Sequence, residues 1–473
     1  MTDFLDTISN AIISFADFIC GYPLFIVLIG GGLYLSFRSR FVSLRRLPHA
    51  IRALRSKEAA KRLEDNKAGQ ISSVHALLNA IAATVGMGNI AGVAIALCIG
   101  GPGAIFWLWI SAIIGMNTKF FEGALSIMYK GKDSKGELQG GPMYMIVNGL
   151  GKRWRPLAVV FSVAALLGCL VLMQANQLTE TITTVVTTPM GLENTVLLRS
   201  ILGIAIAAIV AIVVLGGLKR ISQVSARLVP FMVMLYFLLV LIILILHYDR
   251  LPAVFAAIFR EAFNFQAGFG ALAGIAIIGI RRAALVNEAG VGTASMMHGA
   301  SKNTNPLREG LIAMLGPAID SGLVCTLTAI PLLIAGIYAD SEGVKGVHIA
   351  LQSFEQLLPG FGKYALTVVL FTFALSTMFS YSYYGQKCTD FLFGAGKAKY
   401  YTYFYIITIA VAAVIPLTVA VSLIDIGFAF MAFATVTTLL ILSPKVTHLA
   451  KSPKDPAEDP SAKAPSENPS ASE

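Results

Sequence analysis

The residues around Gly86 could bind small charged ligands through the backbone. The run TVGMGN places Gly86 and Gly88 beside the polar Asn89 in the middle of an apolar stretch. Such glycines allow close packing of neighbouring helices, or they mark a helix that unwinds inside the membrane. We favour the unwound stretch, because a polar asparagine lies beside the glycines and free peptide groups need partners in hydrocarbon.

An unwound stretch would present two helix ends to each other. The first half would end with the carbonyls of Ala82 and Val85, a negative end that suits a cation. The second half would begin at Met87, Gly88 and Asn89, whose free N–H groups suit a carboxylate. The pattern therefore predicts neighbouring cation and carboxylate sites. A similarity to the dinucleotide-binding fingerprint is false, because GMGNIAG has the wrong third spacing and follows no strand.

The composition requires a membrane around these residues. Of 473 residues, 56% are hydrophobic and 13% charged, against roughly 45–50% and about 25% in soluble domains. The net charge of +10 does not indicate nucleic-acid binding, because the basic residues lie in loops between apolar stretches. Five scattered cysteines and six dispersed histidines predict neither disulfides nor a metal centre. Asp3 and Asp6 argue against a signal peptide, so the first apolar segment is expected to be retained.

The hydropathy pattern predicts an all-α integral membrane protein with about eleven transmembrane helices. The expected spans are 17–36, 72–99, 103–129, 156–182, 196–217, 228–247, 266–292, 308–337, 363–387, 400–420 and 425–443. Lysine and arginine are concentrated in alternate loops, most heavily between 38 and 67. This asymmetry predicts an N-terminus outside and a C-terminus in the cytoplasm.

Two similar segments predict an inverted repeat of five helices each. The element N-x-A-G-V occurs at Asn89–Val93 and again at Asn287–Val291, and the second copy lies five spans further along the chain than the first. An odd number of spans gives the two units opposite orientations. The expected organisation is an extra N-terminal helix in 1–37, an amphipathic cytoplasmic linker in 38–70, a first repeat in 71–247, a second repeat in 265–443 and a disordered cytoplasmic tail in 444–473.

Six motifs between about 71 and 443 resemble the alanine or glycine:cation symporter family, which is similar in architecture to the leucine-transporter fold. They are NAIAATVGMGNIAGVA, GGPGAIFWLW, MNTKFFEGAL, GGPMYMIVNGLG, NEAGVGTA and FALSTMFSYSYYGQKC. The resemblance implies a transporter, not an enzyme, with sodium as the coupling ion and no other cofactor. It also implies a multi-pass protein of a bacterial inner membrane. We expect a monomer in the lipid bilayer without a nucleic-acid partner.

The resemblance implies a set of site residues. Sodium would meet the carbonyls of Ala82 and Val85 and the hydroxyls of Ser376 and Thr377. The amino acid would meet the residues Met87, Gly88, Asn89, Gln174, Ile278, Gly279 and Tyr381. The family usually has Thr at the position of Met87 and Trp at that of Tyr381, so the identity of the substrate stays open.

Several of these polar residues also have purely structural interpretations. Lys119 and Glu122 lie one helical turn apart, and an ion pair between them is favoured over a proton relay. Gln174 could contact substrate or join two helices. From the residues alone, Ser376 and Thr377 could return their hydroxyls to carbonyls of their own helix, and the resemblance favours the cation site.

The expected function is sodium-driven import of a small neutral amino acid, such as alanine or glycine, by alternating access. One alternative is a transporter of the same fold that moves a different neutral amino acid or couples to protons. An intramembrane enzyme is disfavoured, because the spans contain no pair of catalytic aspartates, GxSxG or HExxH. A channel would not need a carboxylate site at a broken helix.

Overall fold

A computed structural model describes residues 2–56, 69–263, 286–340 and 346–451. Within these residues the chain is almost entirely helical. The first helices are α1 Thr2–Ile19, α2 Tyr22–Phe25, α3 Gly31–Arg38, α4 Val42–Arg45, α5 Leu47–Arg55, α6 Ser73–Thr84, α7 Val93–Gly100, α8 Gly103–Met128, α9 Pro142–Tyr144, α10 Arg155–Gly168 and α11 Leu172–Ile182. The remaining helices are α12 Val196–Val214, α13 Gly217–Leu246, α14 Leu251–Ala262, α15 Thr293–Gly299, α16 Pro306–Ala313, α17 Leu315–Pro317, α18 Cys325–Ala335, α19 Gly346–Leu357, α20 Gly362–Phe393, α21 Ala398–Ala412 and α22 Leu417–Lys451.

Short π-helical and 3₁₀ turns join several of these helices. The π turns are Ile26–Gly30, Gly88–Gly92, Met145–Leu150, Thr183–Thr187 and Ala318–Val324. The 3₁₀ turns are Lys152–Trp154, Tyr248–Arg250 and Ile337–Asp340. A small antiparallel hairpin of β1 Gly131–Lys132 and β2 Leu138–Gln139 pairs Gly131 with Gln139. π turns in helices are often found at functional sites. The π turns at Gly88–Gly92 and Ala318–Val324 therefore indicate where a functional site could lie.

The described residues contain eight helices that are long and apolar enough to cross a membrane, and nine if a bent pair counts as one span. The fold is therefore an all-α, multi-pass membrane protein, as predicted. The expected span 266–292 lies mostly outside the described residues, and α21 is shorter than a full span. The number of eleven and the inverted repeat stay predictions.

The spans divide into an interior group and a peripheral group. In α8 and α20, 72% of the most apolar window is buried inside the protein, against 22% in α12 and 33% in α13. α6 packs against α13, α15 and α20, and α8 packs against α16. Because lipid is as apolar as leucine, exposed apolar faces on α12 and α13 are suited to the bilayer, whereas α6, α8 and α20 enclose the polar residues.

Two segments outside the spans have local structure of their own. The described part of the expected linker contains α5, whose Ala50 and Ala53 are buried and which packs against α16. At the other end, α22 continues to Lys451, so the expected tail boundary at 444 is wrong. Val446 and Leu449 are buried in this extension and hold it against the protein. The rest of the expected tail lies outside the described residues.

Candidate functional site

The helix around Gly86 is broken, as its sequence predicts. α6 ends at Thr84, Val85 is extended with φ −76° and ψ 97°, and a π turn begins at Gly88. The halves Ser73–Thr84 and Gly88–Gly100 are bent by 54°. The chain therefore has an irregular stretch of backbone inside a membrane-spanning element, where free peptide groups need partners.

Asn89 lies in the break and provides hydrogen-bond partners for some of these peptide groups. Its Oδ1 accepts a 2.9 Å hydrogen bond from the Gly86 N–H, and its own N–H donates to the Gly86 carbonyl across 3.1 Å. Both Gly86 and Asn89 are buried. The polar side chain that the sequence marks beside the glycines thus caps the start of the second half.

Two of the predicted cation residues, Ala82 and Thr377, meet between α6 and α20. The Thr377 hydroxyl lies 3.3 Å from the Ala82 carbonyl and 3.2 Å from that of Phe373 in its own helix. A Cβ added to Gly86 would lie 2.5 Å from Thr377 Oγ1, so only glycine permits this approach. The break and α20 are therefore in direct contact at Thr377.

The other two predicted cation residues, Ser376 and Val85, differ in their hydrogen bonds. The Ser376 hydroxyl donates to the Phe373 carbonyl across 2.8 Å, which fits the intrahelical interpretation of this residue. Val85 is fully buried at the break, where its N–H donates to the Ile81 carbonyl across 2.8 Å. Ala82, Thr377 and the Val85 backbone therefore adjoin the break.

One turn beyond Thr377, Tyr381 faces the same interior. Its hydroxyl donates a hydrogen bond to Glu288 Oε1. Glu288 Oε2 accepts a second bond from the Thr293 hydroxyl across 2.5 Å. Tyr381 also stacks on Phe428, with ring centroids 6.5 Å apart. Sequence reasoning placed Tyr381 in the site and did not identify its carboxylate partner.

The structure describes some of the remaining residues that are predicted to bind the substrate. Met87 is fully buried, and a Cβ added to Gly88 would have no atom closer than Val286 Cγ2 at 4.0 Å. Gln174 is on α11, and its Oε1 is buried without a hydrogen-bond partner among the described residues. Ile278 and Gly279 lie outside the described residues. The structure thus describes five of the seven residues that are predicted to contact the substrate.

Comparison with known sequences decides the family. A sequence profile described as the sodium:alanine symporter family matches residues 5–463. The chain belongs to the sodium:alanine symporter family. As a member of this family it is a transporter of the symporter class and not an enzyme.

Individual relatives of this symporter cover most of its length. It is 36% identical to the "Sodium/alanine symporter AgcS" of Methanococcus maripaludis, over 92% of this chain and 95% of the relative. It is 34% identical to the "Putative sodium/proton-dependent alanine carrier protein YrbD" of Bacillus subtilis, over 80% and 78%. It is 32% identical to the "Probable sodium/glutamine symporter GlnT" of the same organism, over 80% and 76%. The relatives thus carry different names for their amino acids and coupling ions.

Sequence reasoning about the symporter overlooked a buried aspartate beside the break. Asp320 lies in the π turn Ala318–Val324, is fully buried, and accepts a hydrogen bond on Oδ1 from the Asn89 amide. A single aspartate in the apolar run AMLGPAIDSGLV was the available signal, since a charge within a span requires a partner. Its partner could not be predicted, because Asn89 is remote in sequence.

The predicted ion pair on α8 is present. Lys119 Nζ lies 3.8 Å from Glu122 Oε2, and both side chains are buried. Glu122 also accepts hydrogen bonds from the Gly290 N–H at 2.6 Å and the Ser295 hydroxyl at 3.3 Å. The pair therefore joins α8 to the segment that carries Glu288 and α15, which fits a structural role.

A second buried polar cluster lies at the start of α6, away from the break. Glu309 on α16 accepts hydrogen bonds from the Ser73 hydroxyl at 2.8 Å and the Asn303 amide at 2.9 Å, and His298 Nδ1 lies 2.6 Å from it. Lys130 donates to the Ser301 carbonyl across 2.6 Å. Burial lowers the pKa of Lys130 to about 8. This cluster ties α6 to α15, α16 and the loop after α8.

Proposed function

We propose that this symporter imports a small neutral amino acid, alanine being the first candidate, with sodium as the coupling ion and by alternating access. One observation carries the proposal. The membrane-spanning element Ser73–Gly100 is bent by 54° between Thr84 and Gly88, beside the buried polar side chains of Thr377 and Asp320.

The two ends of the break suit two ligands of opposite charge. The Ala82 carbonyl at the end of α6 faces the Thr377 hydroxyl, and such neutral oxygen donors suit a hard monovalent cation. The start of the second half at Gly88 offers backbone N–H groups that suit a carboxylate, and no side chain of its own covers them. The carboxylate of an amino acid and a sodium ion bound there would attract each other.

Further groups fit the amino acid's ammonium and side chain. The buried Gln174 Oε1 is an acceptor with no partner among the described residues, so an ammonium group could donate to it. Met87 and Tyr381 supply a flexible apolar surface and an aromatic wall. This mostly apolar lining suits a neutral amino acid such as alanine.

Family relationships support the same proposal without deciding the substrate. The relative from Methanococcus maripaludis is named for sodium and alanine, whereas one from Bacillus subtilis is named for glutamine. The open substrate question is therefore one of side-chain size, and Met87 and Tyr381 are the residues on which it depends.

Uptake into proteoliposomes tests the proposal. Labelled alanine should accumulate above its external concentration when an inward sodium gradient is imposed, and not when choline replaces sodium. Unlabelled alanine and glycine should compete, and glutamine should compete weakly. Accumulation that is equal in choline would reject sodium coupling, and a flux that equilibrates without accumulating would indicate a channel.

A further inference from the structure

An apolar groove lies where α20 ends and α21 begins. Its volume is about 450 Å³, and its walls include Leu166 of α10, Phe393 of α20 and Phe404 of α21. Phe393 is 65% exposed and Phe404 is 52% exposed. The asymmetry of lysine and arginine predicts that this end of the two helices faces the cytoplasm. The α20–α21 groove therefore opens to the bilayer near its predicted cytoplasmic surface.

Close packing of α20 on α21 fixes the floor of the groove. Tyr401 is buried there, and its hydroxyl donates a hydrogen bond to the Leu166 carbonyl across 3.3 Å. A Cβ added to Gly385 on α20 would overlap the Tyr401 ring, so only glycine admits the ring at this place. The floor is therefore held in one shape, which favours binding of a ligand that fits it.

The turn between the two helices places a lysine at the rim of the groove. Asp390 Oδ1 accepts hydrogen bonds from two backbone N–H groups of this turn, each across 3.1 Å. Lys397, at the end of the turn, lines the groove and is exposed. Its Nζ lies 5.7 Å from the centroid of the Tyr400 ring, which is another wall of the groove. The ammonium group is therefore positioned at the border between apolar wall and water.

A second lysine reaches the same turn from the hairpin after α8. Lys135 Nζ lies 3.7 Å from the position of a Cβ on Gly396. In the part of the chain that the structure describes, neither Lys135 nor Lys397 forms an ion pair with a carboxylate. The nearby Asp133 and Asp390 instead accept hydrogen bonds from backbone N–H groups of their own turns. The two ammonium groups are thus available to an anion at the end of the apolar groove.

We propose that the α20–α21 groove binds one anionic phospholipid of the cytoplasmic leaflet. Its phosphate would contact Lys135 and Lys397, and an acyl chain would lie against Phe393 and Phe404. Basic pockets between membrane helices at this surface bind anionic head groups, and lysine extends its stem along apolar surface to reach them. The inference goes beyond the proposed function, because it depends neither on the amino acid nor on the coupling ion.

Two other ligands match only half of the groove. Inorganic phosphate would pair with the lysines and leave the apolar walls uncovered. A zwitterionic phospholipid would cover the walls, but its own ammonium group would offset the attraction of its phosphate to the lysines. Both features together therefore select a lipid with a net negative head group.

Titration of the purified protein in detergent with dioleoyl-phosphatidylglycerol, read by native mass spectrometry, tests the charged part of the site. Wild-type protein should retain one such lipid in preference to dioleoyl-phosphatidylcholine. Lys135→Gln combined with Lys397→Gln should weaken phosphatidylglycerol binding about thirtyfold, because two head-group contacts are lost. Lys219→Gln combined with Arg220→Gln is the matched control: it removes two exposed positive charges at the start of α13 and should bind like wild type.

Phe404→Ala tests the apolar part of the site. It should weaken phosphatidylglycerol binding severalfold, whereas Tyr403→Ala, which removes an exposed ring outside the groove lining, should not. Millimolar inorganic phosphate should not displace the lipid. Equal retention of both lipids by wild type, wild-type affinity in the double lysine variant, or displacement by phosphate would each overturn the proposal. All of these side chains are exposed, so the variants should fold, and no readout depends on transport.

Discussion

The hydroxyl of Thr377 lies 3.3 Å from the carbonyl oxygen of Ala82, so α20 touches the broken helix at the point where its first half ends. One turn further along α20, Tyr381 donates to Glu288. A single helix therefore contacts both the position proposed for the cation and the wall proposed for the amino acid. Any movement of α20 against α6 would change the two positions together.

Replacing Thr377 by alanine should weaken sodium binding without unfolding the protein. Loss of a hydroxyl ligand predicts a rise of about tenfold in the sodium concentration for half-maximal alanine uptake, equivalent to about 1.4 kcal/mol. Thr377→Ser should stay close to wild type, because it keeps the oxygen. Thr372→Ala on the same helix, whose hydroxyl donates to Val369, is the control. Equal sodium dependence of wild type and Thr377→Ala would remove Thr377 from the site.

The two glycines of the break should respond differently to alanine. At Gly86 a Cβ would lie 2.5 Å from Thr377 Oγ1, whereas at Gly88 it would meet nothing closer than 4.0 Å. Gly86→Ala should therefore raise the sodium requirement at saturating substrate. Gly88→Ala should fold normally and reduce the apparent affinity for alanine about tenfold, because the methyl group blocks approach to the backbone. The larger Gly88→Val should abolish substrate binding.

Two titrations measure this difference. In one, the sodium concentration is varied at saturating alanine, and in the other the alanine concentration is varied at saturating sodium. If Gly88→Ala leaves alanine affinity unchanged, the amino acid does not approach the backbone at that residue.

Removing the Tyr381 hydroxyl should affect both stability and substrate binding. Tyr381→Phe leaves Glu288 Oε1 without its donor, which costs about 1–3 kcal/mol for a buried acceptor. A lower thermal midpoint and a severalfold weaker affinity for alanine are expected. Tyr405→Phe is the matched control, since it removes a buried hydroxyl that donates to the Met378 carbonyl and has no role at Glu288. Equal losses of alanine affinity in both variants would refute a specific role of Tyr381.

The break and one buried ion pair follow from local sequence. The break was predicted because TVGMGN puts two glycines beside a polar residue in an apolar run, and the ion pair of Lys119 with Glu122 follows from helical spacing. The contacts of Asn89 with Asp320 and of Tyr381 with Glu288 join residues far apart in the chain. Such contacts depend on how the helices pack, and no local pattern encodes them.

Two further features depend on tertiary packing and not on local sequence. Residues 444–451 were expected to be disordered from their proline and charge, yet burial of Val446 and Leu449 keeps α22 helical through them. Tertiary packing outweighs local composition there. Ser376 donates within its own helix, whereas the adjacent Thr377 reaches α6, a distinction that depends on which face of α20 meets the break.

The partly buried Lys130 should make stability depend on pH. Its pKa in the folded protein is about 8, below the usual 10.5, so the folded protein loses this proton first as the pH rises. Stability should therefore increase between about pH 8 and about pH 10.5, by at most about 1.4 kcal/mol per pH unit. The thermal midpoint of wild type relative to that of Lys130→Met should rise between about pH 8 and about pH 10.5.

Lys399→Met, which replaces an exposed lysine, is the control for this comparison. Its thermal midpoint should differ from that of wild type by the same amount at each pH. A midpoint difference between wild type and Lys130→Met that falls with rising pH would contradict the burial of a lysine that is charged at neutral pH.

Thermal stabilisation of the purified protein by alanine, measured in sodium and in choline, tests most directly whether the break binds amino acid and ion together. A ligand at a hundred times its dissociation constant stabilises the folded state by about 2.7 kcal/mol. We predict a clear rise of the thermal midpoint with alanine in sodium, little or none in choline, and loss of the rise in Gly88→Val. Equal stabilisation in both salts, or a full rise in Gly88→Val, would contradict the proposal that the two ligands share the break.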